Sequence, residues 1–163
     1  MSREPDDLPP PPRPLPAEPL ASLDQLLPGQ AWAIGTLSLS AAEIVEFARR
    51  YDPQPFHLDP EAAKDSIFRE LVASGLHTYA AVFSLVIQSN LLRAISLGGN
   101  AFELRWPAPL RPDEPVSVRV EVLAVTPSRT RSTRGTARLR YVATRVADGV
   151  VVLDAVGHHI LRR

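Results

Sequence analysis

One segment limits the possible folds more than any other: residues 74 to 93 are apolar at helical spacing on nearly every side. The apolar positions are Leu76, Tyr79, Val82, Phe83, Leu85, Val86, Ile87, Leu91 and Leu92. A helix of this kind is stable when other parts of the protein surround it. Polar residues such as His77 and Arg93 interrupt the apolar stretch, so it does not predict a membrane span. The sequence predicts a long buried helix beginning at Ser74-Gly75.

After Gly99 the hydrophobic period changes from 3.6 to 2. Apolar residues alternate with polar ones at Val116, Val118, Val120 and Val122, and again at Leu139, Tyr141 and Ala143. This alternation predicts half-buried strands with one face toward a core. The pair Asp148-Gly149 predicts a hairpin between two such strands. With Ala101 to Trp106, the second half of the chain therefore predicts an antiparallel sheet of long strands.

The first half of the domain contains a strand and two short helices. Residues 31 to 39 predict the strand, and Ser40 with Glu43 forms the capping box of a helix over residues 41 to 50. Asp59-Pro60-Glu61 predicts the start of another helix. The order strand, helices, buried helix and strands predicts an α+β hot-dog fold, in which a curved antiparallel β-sheet wraps around a long central α-helix.

The 163 residues are predicted to form one domain behind a proline-rich tail. Eight of the 17 prolines lie in the first twenty residues, and such a stretch cannot pack a core. We therefore expect a disordered tail over residues 1–22, to which we assign no role, and a single domain over residues 23–163.

Composition excludes several classes of function. The chain has no Cys, which excludes disulfides, thiolate metal sites and a cysteine nucleophile. Its formal net charge is zero, which argues against a nucleic-acid partner. The N-terminus lacks an apolar signal core, and we find no partners for a metal site. We expect a cytoplasmic protein that binds neither nucleic acid nor membrane.

Two segments carry candidate chemistry. In the first, Pro53 and Pro55 are expected to hold residues 52 to 57 extended, so that the side chains of Asp52 and His57 converge on one water molecule as a general acid/base pair. On spacing alone, a purely structural role for both residues is an equal alternative. The second is the start of the buried helix, whose backbone N–H groups at Gly75 would stabilise an oxygen that gains negative charge. An ordinary N-cap by Ser74 is the alternative there.

The segment from Asp52 to Asp59, followed by Phe68 to Gly75, resembles the hydratase motif of the MaoC-like family, which includes (R)-specific enoyl-CoA hydratases. The family pattern is Asp-x-Asn-Pro-x-His-x-Asp, followed later by a His-Gly pair. The stretch from Leu104 to Asp113 is similar to the strand that follows in the family. The resemblance covers roughly residues 30 to 160.

By this resemblance, Asp52 and His57 are the catalytic pair that activates water for addition to C3 of a trans-2-enoyl thioester, and Gly75 binds the thioester carbonyl. Gln54 stands in place of the usual Asn and Ser74 in place of the His, and we assign both to substrate binding. The resemblance further implies an acyl-CoA substrate, no metal or redox cofactor, and a homodimer or an oligomer of dimers.

Other residues leave alternatives open. His77, one turn into the buried helix, either faces the site or packs in the core, whereas His158 and His159 point to opposite faces of a strand. Residues 104 to 163 hold 11 Arg against five acids, which suggests contact with coenzyme A phosphates or an ordinary solvated sheet face. Two other functions also remain: an acyl-CoA thioesterase, and a catalytically quiet acyl-CoA-binding or dimerisation module.

Overall fold

A computed structural model describes residues 11–163. Its centre is one antiparallel sheet of five strands in the order β1-β3-β4-β5-β2. The strands are β1 (Ala31–Leu37), β2 (Ser96–Arg105), β3 (Val116–Pro127), β4 (Arg134–Arg145) and β5 (Val151–Arg162). The predicted hairpin joins β4 to β5 at Asp148-Gly149, where Gly149 adopts the left-handed conformation with φ +73°. The predicted α+β architecture is therefore present.

Four α-helices separate β1 from β2: α1 (Ala41–Tyr51), α2 (Pro55–Leu58), α3 (Pro60–Ala63) and α4 (Gly75–Gln88). The capping box of α1 forms as predicted, because the Ser40 hydroxyl accepts from the Glu43 N–H and the Glu43 carboxylate accepts from the Ser40 N–H. Asp59 caps α3 with its side chain alone, which accepts from the N–H of Glu61. Local sequence chemistry thus determines where these helices begin.

The core lies between α4 and one face of the sheet. The inward side chains of β3 and β4 follow the predicted alternation, and Val120, Leu139 and Tyr141 are fully buried. Helix α4 contributes a buried stripe of Thr78, Val82 and Val86. Its other apolar side chains remain partly exposed, so a single chain covers this helix on one side rather than surrounding it.

Helix α4 ends at Gln88 rather than near residue 93. Ser89 is extended at the C-cap, with φ −71° and ψ 160°, and its hydroxyl donates to the carbonyl of Val86. The side-chain amide of Asn90 donates to the carbonyls of Pro16 and Ala17. These contacts end the helix early, and strand β2 begins at Ser96, ahead of the predicted Ala101.

The predicted tail boundary at residue 22 lies inside a packed segment. Arg13 pairs with strand β1 through hydrogen bonds to Ala31 and Ala33, and the Leu20 side chain is 8% exposed. The N–H of Leu20 also donates to the carbonyl of Asn90. Residues 13 to 22 therefore belong to the folded domain, because their backbone and one apolar side chain find partners there. Residues 1 to 10 of the predicted tail lie outside the described residues.

Within the described residues, no helix is both long and apolar enough to cross a membrane.

Candidate active site

Asp52 lies where helix α1 ends and is held by residues from two directions. Its N–H donates to the carbonyl of Ala48, which closes the helix. The Gln54 amide donates to Asp52 Oδ1 at 2.8 Å, and the Ser74 hydroxyl donates to Oδ2 at 2.6 Å. Gln54 and Ser74, both assigned to substrate binding from the sequence, are thus partners of Asp52. A direct contact of either residue with substrate stays a prediction.

His57 lies on α2, a single helical turn, and not in the extended loop expected from Pro53 and Pro55. Pro55 occupies the first helical position, where its fixed φ favours a helix start and its missing N–H costs nothing. The turn buries the imidazole, which is 5% exposed. Nδ1 lies 2.7 Å from the carbonyl oxygen of Val72. Since a carbonyl only accepts, Nδ1 carries a proton, and Nε2 is left as the acceptor when the ring carries no second proton.

The predicted pair meets: His57 Nε2 lies 3.4 Å from Asp52 Oδ2. Burial, the largest single influence, raises the pKa of Asp52, but hydrogen bonds from Ser74 and Gln54 and the proximity of His57 together hold this pKa below its ordinary value. Asp52 is therefore a carboxylate at neutral pH. This carboxylate and the imidazole Nε2 face each other in a site where the Asp52 side chain is 19% exposed.

The N-terminus of α4 lies next to this pair. Ser74 is the N-cap, and its hydroxyl oxygen accepts from the N–H of Leu76 while donating to Asp52. Gly75 is the first helical residue, and its N–H has no hydrogen-bond partner among the described residues. A Cβ atom at Gly75 would lie 2.7 Å from Cε2 of Trp106. A side chain here would therefore displace the indole of Trp106 or the helix start, because the indole packs directly against the backbone.

All five predicted site residues line one cavity of about 770 Å³. Its wall is mostly apolar and includes Phe56, Ile67, Phe68, Leu76, Trp106 and Pro109. Several of these side chains are exposed to solvent; Ile67 is 90% exposed and Leu76 48%. A cavity of this size and character fits a drug-sized apolar ligand, with the polar groups of the Asp52–His57 pair at one place on its wall.

The remaining histidines lie elsewhere. His77 stacks on Phe47 with ring centroids 4.4 Å apart, and burial lowers its pKa. His158 and His159 point to opposite faces of β5, as predicted: His159 is buried against Tyr141, whereas His158 is partly exposed. Across residues 11 to 163, no three His, Asp or Glu side chains are grouped closely enough to hold a metal ion.

Two parts of the site were not predicted as such. The carbonyl of Val72 sets the tautomer of His57, and backbone carbonyls leave no signal in a sequence. Trp106 forms a wall against Gly75, although the sequence offered its aromatic-proline motif only as part of a strand. The available signal was a tryptophan followed closely by two prolines at the end of a predicted strand.

A five-stranded antiparallel sheet with one long helix, and an Asp–His pair beside the start of that helix, define the class as hot-dog proteins with a potential acid/base site. The family model for the MaoC-like domain matches residues 27–153. The chain belongs to this family, and the predicted hot-dog fold is confirmed.

Relatives agree with this assignment. The MaoC-like dehydratase from Rhodospirillum rubrum is 37% identical, with a TM-score of 0.80 over 87% of this chain and 97% of that one. An (R)-hydratase from Pseudomonas aeruginosa is 25% identical, with a TM-score of 0.67 over 87% of this chain and 85% of that one. The uncharacterised protein YdeM of Bacillus subtilis (strain 168) is 32% identical over 108 residues, which are 66% of this chain and 77% of that protein. Membership of the family supports a hydratase or dehydratase role.

Proposed function

We propose that the protein is a hydro-lyase that adds water across the double bond of a trans-2-enoyl-CoA thioester, or removes it from a 3-hydroxyacyl-CoA thioester. The observation that carries the proposal is the pair of acceptors Asp52 Oδ2 and His57 Nε2, 3.4 Å apart on the wall of an apolar cavity. A water molecule has two hydrogens to donate. Bound between these acceptors it would donate one to each, which leaves its oxygen lone pairs directed at the substrate.

The proton balance of hydration fits this pair. As the water oxygen bonds to C3, His57 Nε2 takes a proton from it, and the resulting imidazolium is stabilised by the Asp52 carboxylate beside it. The electron pair of the double bond moves toward the thioester, and C2 then needs one proton. Protonated His57 returns the proton it took, so that H and OH have been added and the enzyme is unchanged. No redox or metal cofactor is required for these steps.

The start of α4 supports the same chemistry. During addition to C3, negative charge develops on the thioester oxygen, and donors aimed at such an oxygen lower the barrier. The N–H of Gly75 has no partner among the described residues and lies at the positive end of a 14-residue helix. We assign it to the thioester carbonyl, with the acyl chain in the apolar cavity.

The thioesterase alternative uses the same helix start but attacks the carbonyl carbon rather than C3, and it does not require an imidazole beside the carboxylate. The buried His57, with one tautomer selected by Val72, therefore favours hydration. The third alternative, a non-catalytic acyl-CoA-binding module, keeps the cavity but gives no role to an imidazole 3.4 Å from a carboxylate.

The test is the loss of enoyl-thioester absorbance with trans-2-enoyl-CoA substrates of several chain lengths. Wild-type protein should hydrate at least one of them, and Asp52→Asn and His57→Ala should each lower kcat/KM by about a hundredfold or more, because each removes a group that handles the transferred proton. Asp113→Asn is the matched control. Asp113 is exposed at φ +58°, a conformation that Asn also tolerates, so its activity should equal that of the wild type.

Free-thiol release is measured in the same samples. Thiol release without hydration would show that the protein is a thioesterase and not a hydratase. A folded protein that binds enoyl-CoA but catalyses neither reaction would be a binding module.

A further inference from the structure

The arginines of the sheet's outer face, which points away from α4, fall into two groups. Toward the end of the sheet near Trp106, Arg119 and Arg140 are paired with carboxylates. Arg140 makes two hydrogen bonds to Asp154, at 2.8 and 2.9 Å, and Arg119 lies 3.8 Å from Glu121. The charges of these two arginines are balanced within the chain.

At the opposite end, the arginines lack such partners. Arg129, Arg134 and Arg138 have no carboxylate within 4.0 Å among residues 11 to 163. Arg134 and Arg162 are also directly opposite each other in the β4–β5 register, and both side chains point outward. Like charges directly opposite across two strands repel each other and destabilise the sheet. The fold therefore carries an uncompensated concentration of positive charge here.

These arginines line a groove. Two cavities, of about 460 and 220 Å³, share Asn100, Thr126 and Thr136 in their walls. Arg129 and Arg134 line the larger cavity, and Arg138 and His158 line the smaller one.

Small residues keep the floor of this groove low. Across the four strands, Thr126 pairs with Thr136, Thr136 with Ile160, and Ile160 with Gly98. This row of outer-face residues therefore ends at a glycine, which has no side chain. A Cβ at Gly98 would meet nothing within 4 Å. The lining also supplies hydroxyl and amide donors from Ser128, Thr136 and Asn100.

From the unpaired arginines and the donors around these two joined cavities, we infer that the groove is a second binding site, specific for a phosphate or diphosphate group of a small molecule. Guanidinium groups match phosphate oxygens in charge and in geometry, and the hydroxyl and amide groups supply further donors. One carboxylate lies close by: Glu103 is 3.8 Å from His158, which lines the smaller cavity.

This groove is distinct from the candidate active site. It lies on the opposite face of the sheet from α4, and the two cavities share no lining residue with the Asp52–His57 cavity. Along β5, the groove at Ile160 is six residues from Asp154, which pairs with Arg105 next to the active-site Trp106. Six strand residues span about 20 Å. The groove and the Asp52–His57 cavity are therefore separate sites.

The test is isothermal titration calorimetry of the full chain with inorganic pyrophosphate and, separately, with ADP. Wild-type protein should bind at least one of them, and added salt should weaken binding because the attraction is between charges. The double variant Arg134→Gln/Arg138→Gln should weaken binding about tenfold or more, since it removes two charge-assisted donors. The control Arg49→Gln/Arg93→Gln removes two exposed charges elsewhere and should bind as the wild type does.

The two probes separate the possible sources of the phosphate. Equal binding of pyrophosphate and ADP assigns recognition to the phosphate groups alone, and tighter binding of ADP shows that a nucleotide supplies them. No heat from either probe at millimolar concentration, or equal affinity in the groove variant and the wild type, would overturn the inference. Because this experiment measures binding, its result supports or contradicts the second site independently of the hydratase assay.

Discussion

At the scale of single residues, the state of Asp52 depends on two partners that differ from the family pattern. Ser74 replaces the imidazole that precedes the glycine in that pattern, yet its hydroxyl donates to the very oxygen that faces His57. Gln54 replaces a shorter amide and donates to the other oxygen. Both replacements therefore keep the carboxylate ionised and oriented, which preserves the acceptor that hydration needs.

We predict that Ser74→Ala raises the pKa of Asp52, because the carboxylate loses a hydrogen bond that favours its charged form. Gln54→Ala should raise this pKa by a smaller amount. A carboxylate whose folded pKa lies below its unfolded pKa stabilises the fold above the unfolded value, and this stabilisation is lost as the pH falls through the folded pKa. In Ser74→Ala this stabilisation should therefore be smaller, and its loss should be complete at a higher pH. The measurement is a pH titration of the Asp52 carboxyl carbon by NMR.

The control for this titration is Ser40→Ala. Ser40 and Ser74 both cap helices, and removing either cap costs about 1 kcal/mol of stability, but Ser40 does not contact Asp52. An Asp52 pKa that moves equally in both variants would show that the shift comes from general loosening of the fold and not from the hydrogen bond.

At the scale of secondary-structure elements, the first turn of α4 and the connection after β2 must fit closely, because the Trp106 indole occupies the space beside Gly75. We predict that Gly75→Ala lowers kcat/KM about tenfold or more, since the new methyl group displaces the indole or shifts the helix N-terminus from the substrate carbonyl. Ala is intrinsically the better helix former, so any accompanying loss of stability comes from this collision.

The matched variant is Gly75→Ala/Trp106→Ala, in which the collision is absent. If the two effects were independent, the fold-losses in kcat/KM of the two single variants would multiply. The kcat/KM of the double variant should be higher than this product predicts, because the two residues are in contact. Steady-state kinetics of the wild type, both single variants and the double variant form the complete cycle. Strictly additive effects would contradict the contact.

The same elements show which features follow from local sequence. The starts of α1 and α3 and the turn at Gly149 were predictable, because their caps and turn residues act within a few positions. The end of α4 was not, because Asn90 takes its partners from Pro16 and Ala17, more than seventy positions away.

The contacts of the candidate active site can also be divided into local ones and ones between distant parts of the chain. Asp52 and His57 lie only five positions apart, and they meet as predicted, although a helical turn and not an extended segment brings them together. The Ser74–Asp52 hydrogen bond joins residues 22 positions apart, and the contact between Gly75 and Trp106 spans a still longer part of the chain. These contacts follow from tertiary packing, which the spacing of residues in one sequence does not encode.

At the scale of the whole molecule, two apolar surfaces are left uncovered by the chain itself. Helix α4 is buried along one stripe, although nearly all its sides are apolar. Strand β2 is an edge of the sheet with ten residues, nearly all exposed, including Leu97 at 49% and Phe102 at 38%. A long exposed edge strand with apolar side chains favours pairing with another strand.

We propose that a second copy of the chain pairs along β2 and covers both surfaces. Light scattering coupled to size exclusion should therefore give a mass twice that of the 17.8 kDa chain. Leu97→Lys should shift the protein toward the monomer on dilution, because it places a charge on the apolar pairing edge. Val146→Lys, a substitution at a 58% exposed site in the β4–β5 connection, is the control and should leave the dimer unchanged. A wild-type mass of one chain at about 50 µM, where stable dimers with micromolar or tighter affinity persist, would contradict the pairing and leave β2 as a free edge.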